Sequence, residues 1–453
     1  MTGKRRFAQV GLGHRSRMFL NAVLDRYKDT SDMVGFADSN PGRLAVAIRK
    51  AEACGVVVPG YAAADFDRMI AETHPDCVIV CTQDSFHDTY ICRAMELGCD
   101  VITEKPMTTD ETKCRRILET QARTGQSVTV TFNYRYAPFR TQVKDMLMSG
   151  VIGNILSVDF HWMLNTSHGA DYYRRWHRDK ANSGGLMVHK ATHHFDLVNW
   201  WLSSVPERVF ASGQRRFYTP ETADRYGLHR RTERCLDCPE KKRCKFYLDI
   251  GAATGRHKEL YLDNEHHDGY FRDRCVFSDE INIEDTMNVL VDYQCGAKMS
   301  YSLNTFMPVE GYQVTFNGTK GRLEHKCEES VYVSGDGTVP GALKKEGSWI
   351  RVFPHWAPCY EVDLWTGKGG HGGADPKMLD YIFNASVQPA DKYLRAADQR
   401  AGAYSILVGV AANHAMAENR PVAIADLVPN LALPDYPQMP DASQPLDFGG
   451  NCK

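Results

Sequence analysis

The chain lacks any long apolar run. Its longest stretches of that kind, such as Ile406–Ala412, fall far short of the ~18 residues that cross a bilayer, so no membrane partner is expected. An excess of charge of either sign is also missing. Lys and Arg number 54 against 56 Asp and Glu, a formal net charge of −2. Without a basic surplus to neutralise a phosphate backbone, nucleic acid is excluded as a main partner. There is no internal repeat, low-complexity tract or long charge block, which excludes solenoid and tail-like architectures. The opening MTGKRRFAQVGLG runs directly into a strand and carries no apolar signal core. The 14 cysteines are therefore expected to be reduced thiols of a cytoplasmic protein.

What is present is ordinary globular material: 43% hydrophobic and 24% charged residues over 453 positions. That is enough for two or three domains. Up to about residue 135, short apolar runs alternate with helical patterns. Phe7–Val10, Met33–Ala37, Cys77–Cys81, Val101–Thr103 and Ser127–Phe132 read as strands, and the alternation predicts βα units and a parallel sheet. Beyond that point strands follow one another without helices between them, as in Ile155–Trp162, Met287–Tyr293 and Ala297–Leu303. This predicts an α+β domain with an open, mostly antiparallel sheet. The expected organisation is a Rossmann domain over 1–135, a substrate-binding α+β domain over 136–427, and an extended tail over 428–453. A polar, Cys-rich insertion occupies about 218–282. Gly185–Leu202 reads as one helix, and Tyr172–Arg178 as a loop before it.

The segment VGLGHRS follows the first strand. Gly11 would permit a tight turn, and Gly13 would let backbone approach a pyrophosphate at a helix N-terminus. His14, Arg15 and Ser16 complete the turn, with Ser16 where a third glycine is usual. Asp38 ends the next strand, placed to accept the ribose hydroxyls of NAD.

The stretch from Thr82 through His87 to Glu104-Lys105-Pro106 (GCDVITEKPM) resembles a segment of the glucose–fructose oxidoreductase/inositol dehydrogenase family. So do Phe132-Asn133-Tyr134-Arg135 and the run from Gly184-Gly185 to His193 and Asp196. The resemblance covers roughly residues 5–202. It implies a Rossmann domain, a nicotinamide cofactor with Thr82, His87, Glu104 and Lys105 beside it, and a sugar-like substrate. It also implies catalysis by Lys105 and His193. The segment HKATHH departs from the family pattern: His189 stands where an Asp is usual, followed by Lys190, and Ala191 replaces a glycine. His189 and Lys190 thus join the candidate catalytic bases. On helical spacing, His189 and His193 share one face and Lys190 and His194 another, so both pairs would not point into one pocket. Arg135, Arg175, Trp176, His177 and His371 are candidate substrate contacts, since arginines fork onto anionic groups and aromatic faces stack on sugars.

Cys235, Cys238, Cys244 and Cys275 have spacing compatible with a structural zinc site. The leading expectation is an NAD-dependent oxidoreductase acting on a ring hydroxyl of a sugar or glycoside, one with an acidic substituent among the choices, assembled as a homo-oligomer. A redox-neutral NAD-dependent glycoside hydrolase, with sulfo- or uronosyl glycosides among its expected substrates, is the first alternative. A non-catalytic nucleotide or sugar sensor is the second.

Overall fold

A computed structural model describes residues 3–251, 256–331 and 341–443. Six parallel strands form the first sheet: β1 Arg5–Val10, β2 Ser31–Asp38, β3 Gly60–Ala62, β4 Cys77–Val80, β5 Asp100–Thr103 and β6 Val128–Val130. Their order is β3-β2-β1-β4-β5-β6, the doubly wound arrangement that opens a crevice at the β1/β4 switch point. All four residues of β4 are buried, as expected of a central strand covered on both faces. The helix Pro41–Ala53 starts where Asn40 accepts from the backbone N–H groups of Gly42 and Arg43, with Pro41 in the first turn. That cap fixes Arg43 beside the end of β2.

The second sheet has nine strands: β7 Ile155–Asn165, β8 Pro206–Gln214, β9 Thr286–Tyr293, β10 Lys298–Met307, β11 Glu310–Gly318, β12 Gly321–Glu329, β13 Trp349–Pro354, β14 Tyr360–Val362 and β15 Val422–Ala423. Their order is β14-β13-β12-β11-β7-β10-β9-β8-β15. Only β7 and β10 pair in parallel; the other pairs are antiparallel. Burial alternates along β12, so one face packs inward and the other is partly open.

Two local readings are corrected. The stretch Gly185–Leu202 is not one helix but two, Leu186–His189 and Thr192–Leu202. At the break the Leu186 carbonyl accepts from both the Lys190 N–H (3.1 Å) and the Ala191 N–H (2.9 Å). Tyr172–Arg174 end a helix, Thr166–Arg174, and Trp176–Arg178 form a single tight turn rather than a loop. The long helix Gln399–Glu418 lies against this region. A Cβ at Gly409 would stand 2.4 Å from the Met187 carbonyl oxygen, so only glycine allows this close approach to Leu186–His189.

The chain after Val428 runs without helix or strand to Ser443 and is tied down. Arg400 donates to the Leu433 carbonyl, and Ser203 to that of Pro437. The rest of the expected tail lies outside the described residues. No helix among the described residues is long and apolar enough to cross a membrane.

Candidate active site

The carboxyl ends of β1, β2, β4 and β5 open into a cavity of about 580 Å³. Gly11 sits just after β1 at φ 83°, and a Cβ there would lie 2.6 Å from the backbone of Cys81 and Thr82. Both the conformation and the close approach require glycine. Gly13 leaves open space, its nearest neighbour being the Tyr261 hydroxyl at 3.5 Å from a built Cβ. The Ser16 hydroxyl donates to the Gly13 carbonyl at 2.6 Å and closes the turn. Asp38 accepts from the backbone N–H groups of Leu12 (2.6 Å) and Asn40 (2.7 Å). It therefore ties the glycine turn to the end of β2 while remaining in the cavity wall.

Arg15 donates to Glu104 at 2.7 Å. The His87 imidazole lies 2.8 Å from the Pro106 carbonyl and 3.2 Å from that of Thr82, so it joins the loops following β4 and β5. These contacts hold Lys105 at the cavity wall. Its Nζ donates to the His189 carbonyl at 3.2 Å and lies 3.5 Å from His189 Nε2. Burial lowers the Lys105 pKa to about 8, against the opposing pull of Asp84 and Glu104.

His193 stacks on Tyr134 with ring centroids 4.2 Å apart, and its Nδ1 is buried without a hydrogen-bond partner. Burial, and then the Lys105 and Lys190 charges, hold its pKa well below the ordinary value. It is therefore a neutral imidazole, able to accept a proton. His189 Nδ1 contacts the Asp84 carboxylate. Burial pushes Asp84 up and His189 down, which disfavours separated charges at this pair. His371, at φ 50° in the GGHGG turn, places Nδ1 2.9 Å from Asp375.

His189, Lys190 and His193 all line the cavity. His194 does not line it and instead places Nδ1 2.7 Å from the Tyr301 hydroxyl, so the two pairs do not both enter the pocket. Lys190 joins His189 and His193 there because the helix breaks between Lys190 and Thr192. Arg175, Trp176, His177 and His371 also line it. Trp176 stacks on His177 at 3.6 Å between centroids. Arg135 is corrected: it is fully buried and forms a forked pair with Asp196, at 2.8 and 2.6 Å, away from the cavity.

Sequence reasoning missed Asp84, Tyr134, Asp171, Tyr261, Asp268 and Tyr270, which all line the cavity. Tyr134 lay within the recognised FNYR segment. The last three come from the polar insertion, which reads as an appendage in sequence but covers the nucleotide end of the cleft. The Tyr261 hydroxyl accepts from the His14 N–H at 3.0 Å. Asn40 donates to the Asn264 carbonyl at 2.9 Å, and Arg43 pairs with Asp268 at 2.6 Å and with Asp38 at 3.3 Å.

Within the insertion, Cys235, Cys238, Cys244 and Cys275 surround one small cavity of about 20 Å³ with Phe246 and Phe277. Burial raises the Cys235 thiol to about 11, which favours the protonated form. Among the described residues, no three His, Cys, Asp or Glu side chains are placed to hold an ion. The expected zinc site is therefore not supported.

A cavity at the switch point of a doubly wound sheet, with a glycine turn and an acidic strand end, defines a nucleotide-binding α/β protein. The chain belongs to the Gfo/Idh/MocA oxidoreductase family. The model for its NAD-binding Rossmann fold matches residues 5–132, and that for its C-terminal alpha/beta domain matches residues 144–424. YteT of Bacillus subtilis, which bears the name of an oxidoreductase, is 37% identical over 92% of this chain and 97% of its own. An inositol 2-dehydrogenase of Rhizobium meliloti is 27% identical over 46% of this chain and 58% of its own. The WlbA dehydrogenase of Bordetella pertussis, solved with NADH and UDP-GlcNAcA, shares the fold with a TM-score of 0.60 at 18% identity, covering 93% of this chain and 98% of that one.

Proposed function

We propose that the protein is an NAD-dependent oxidoreductase acting on a ring hydroxyl of a sugar or glycoside. The observation that carries this reading is the placement of Lys105 and His193 in the same cavity as Gly11, Gly13 and Asp38. When bound, the nicotinamide cofactor supplies hydride acceptance. The Lys105 ammonium holds the substrate hydroxyl oxygen and stabilises negative charge there as the proton leaves. The neutral His193 ring takes that proton. Tyr134, stacked against His193, keeps the ring in one orientation. Trp176 and Tyr172 offer aromatic faces to the sugar. The outer face of the nine-stranded sheet is the proposed contact between copies in a homo-oligomer.

A second reading is supported by the density of proton-holding groups at the substrate end, with Asp84–His189 and His371–Asp375 beside Lys105 and His193. A redox-neutral glycoside hydrolase needs such groups: transient oxidation acidifies the neighbouring C–H, after which the aglycone is eliminated, water adds and the ketone is reduced again. A panel of sugars and glycosides, followed by NADH absorbance and product chromatography together, separates the two. A keto product in step with NADH indicates the dehydrogenase, and cleavage without net NADH indicates the hydrolase.

The nucleotide end of the cavity also predicts cofactor choice. A 2′-phosphate would meet two carboxylates, Asp38 and Asp268, that already share the Arg43 guanidinium. We expect kcat/KM for NAD to exceed that for NADP by about tenfold or more, since like charges at such range repel strongly. Equal values, or a preference for NADP, would contradict the role given to Asp38.

A further inference from the structure

The carboxylates around the cavity are already engaged. Glu104 takes Arg15. Asp171 takes Arg272 at 2.8 and 3.0 Å, and Arg175 at 3.3 Å. Asp375 takes His371 and the Asn133 amide. Asp84 takes His189.

Lys190 stands apart. It is only 5% exposed, it lines the cavity, and its Nζ lies 3.4 Å from the Tyr134 hydroxyl and 4.5 Å from the centre of a Trp162 ring. Burial lowers its pKa, and the acidic groups that oppose this from a distance, Glu310 and Glu329, are themselves paired with His168 and Arg140. Among the described residues no carboxylate forms an ion pair with Lys190. A buried ammonium without a counter-charge is unfavourable, and an aromatic face meets only part of that cost.

We propose that Lys190 anchors a carboxylate carried by the substrate, so that the sugar taken here is a uronic acid or a uronoside. This rests on the oxidoreductase reading above and names the substrate class of the same site. The Lys190 ammonium donates to one carboxylate oxygen and the Tyr134 phenol to the other. That two-donor arrangement matches a carboxylate better than a phosphate dianion, whose three oxygens call for an arginine fork or a set of backbone N–H groups. Because Tyr134 also stacks on His193, the anchored group sits next to the ring hydroxyl presented to the base.

The test is calorimetric titration of the NAD-loaded protein with methyl glucuronoside and methyl galacturonoside, their neutral parent glycosides, and the matching 6-phosphates. The expected result is that one uronoside binds at least about tenfold tighter than its neutral parent, the scale of one charge-assisted hydrogen bond. Lys190→Met should erase that margin. If Lys190→Met fails to fold, the wild-type comparison decides alone. Equal binding of acidic and neutral glycosides, tighter binding of the phosphates, or a margin that survives in Lys190→Met would overturn the proposal. NADH formation from neutral glycosides with no uronoside preference would sink this inference and leave the oxidoreductase reading standing. Failure of every sugar in the panel to reduce NAD, despite tight uronoside binding, would sink that reading instead.

Discussion

Lys105→Ala is expected to lower kcat about 10²–10⁴-fold, the range for removing a positioned proton-transfer or charge-stabilising group. The side chain is half-buried, lines the cavity and is held by the His189 carbonyl. NAD affinity, read by fluorescence titration, should change far less than kcat. His193→Ala should fall in the same range, and the double variant should lose much less than the product of the two, because the pair acts on one proton. The pH profile supplies a sharper check. Lys105 acts protonated, and its pKa is lowered to about 8, so wild-type kcat/KM should decline as pH rises through about 8. The residual activity of Lys105→Ala should lack that limb. Near wild-type turnover in either single variant would remove its assignment.

The second large effect is on stability. Arg135 and Asp196 are both fully buried and face each other at 2.6 Å. Arg135→Ala leaves the carboxylate without a partner, which should cost about 3–5 kcal/mol, the usual penalty for breaking a buried pair from one side. Burial already raises Asp196 to about 6 even with Arg135 opposing. A carboxyl raised on folding contributes stability below its unfolded pKa and loses it as pH rises through the folded value. The deficit of Arg135→Ala relative to wild type should therefore be smaller near pH 5 than near pH 8, in urea melts at each pH. A pH-independent loss below about 1 kcal/mol would show that the pair is dispensable.

The parallel sheet was legible because its strands are short, β-branched and separated by helical spacing, and because Gly11, Gly13 and Asp38 fall at the ends of the first two. The Lys105 and His193 positions were legible through motif resemblance. Three things were not. The break at Lys190 is marked by two backbone hydrogen bonds to one carbonyl and lies beside the close approach of Gly409, which is distant in sequence, and periodicity alone reads through it. Arg135 looks like a ligand in sequence because its partner Asp196 is 61 residues away. The insertion reads as a polar appendage because its contacts with the glycine turn are single long-range hydrogen bonds, such as His14 to Tyr261, which leave no local pattern. The metal expectation is a separate case: the four cysteines do border one small cavity, but sequence spacing does not fix side-chain geometry, and among the described residues no group is placed to hold an ion.

In the proposed function, Lys105 and His193 drive removal of a proton from a sugar hydroxyl while NAD accepts the hydride. The most direct measurement is a rapid-mixing single turnover of the NAD-loaded protein with a panel of neutral and acidic glycosides, following NADH absorbance. NADH should appear in the first turnover with at least one glycoside, whether it then accumulates or is consumed in a redox-neutral cycle, and the burst should vanish in Lys105→Ala. Glycoside turnover with no NADH burst at any time, or a burst of wild-type rate in Lys105→Ala, would contradict the account.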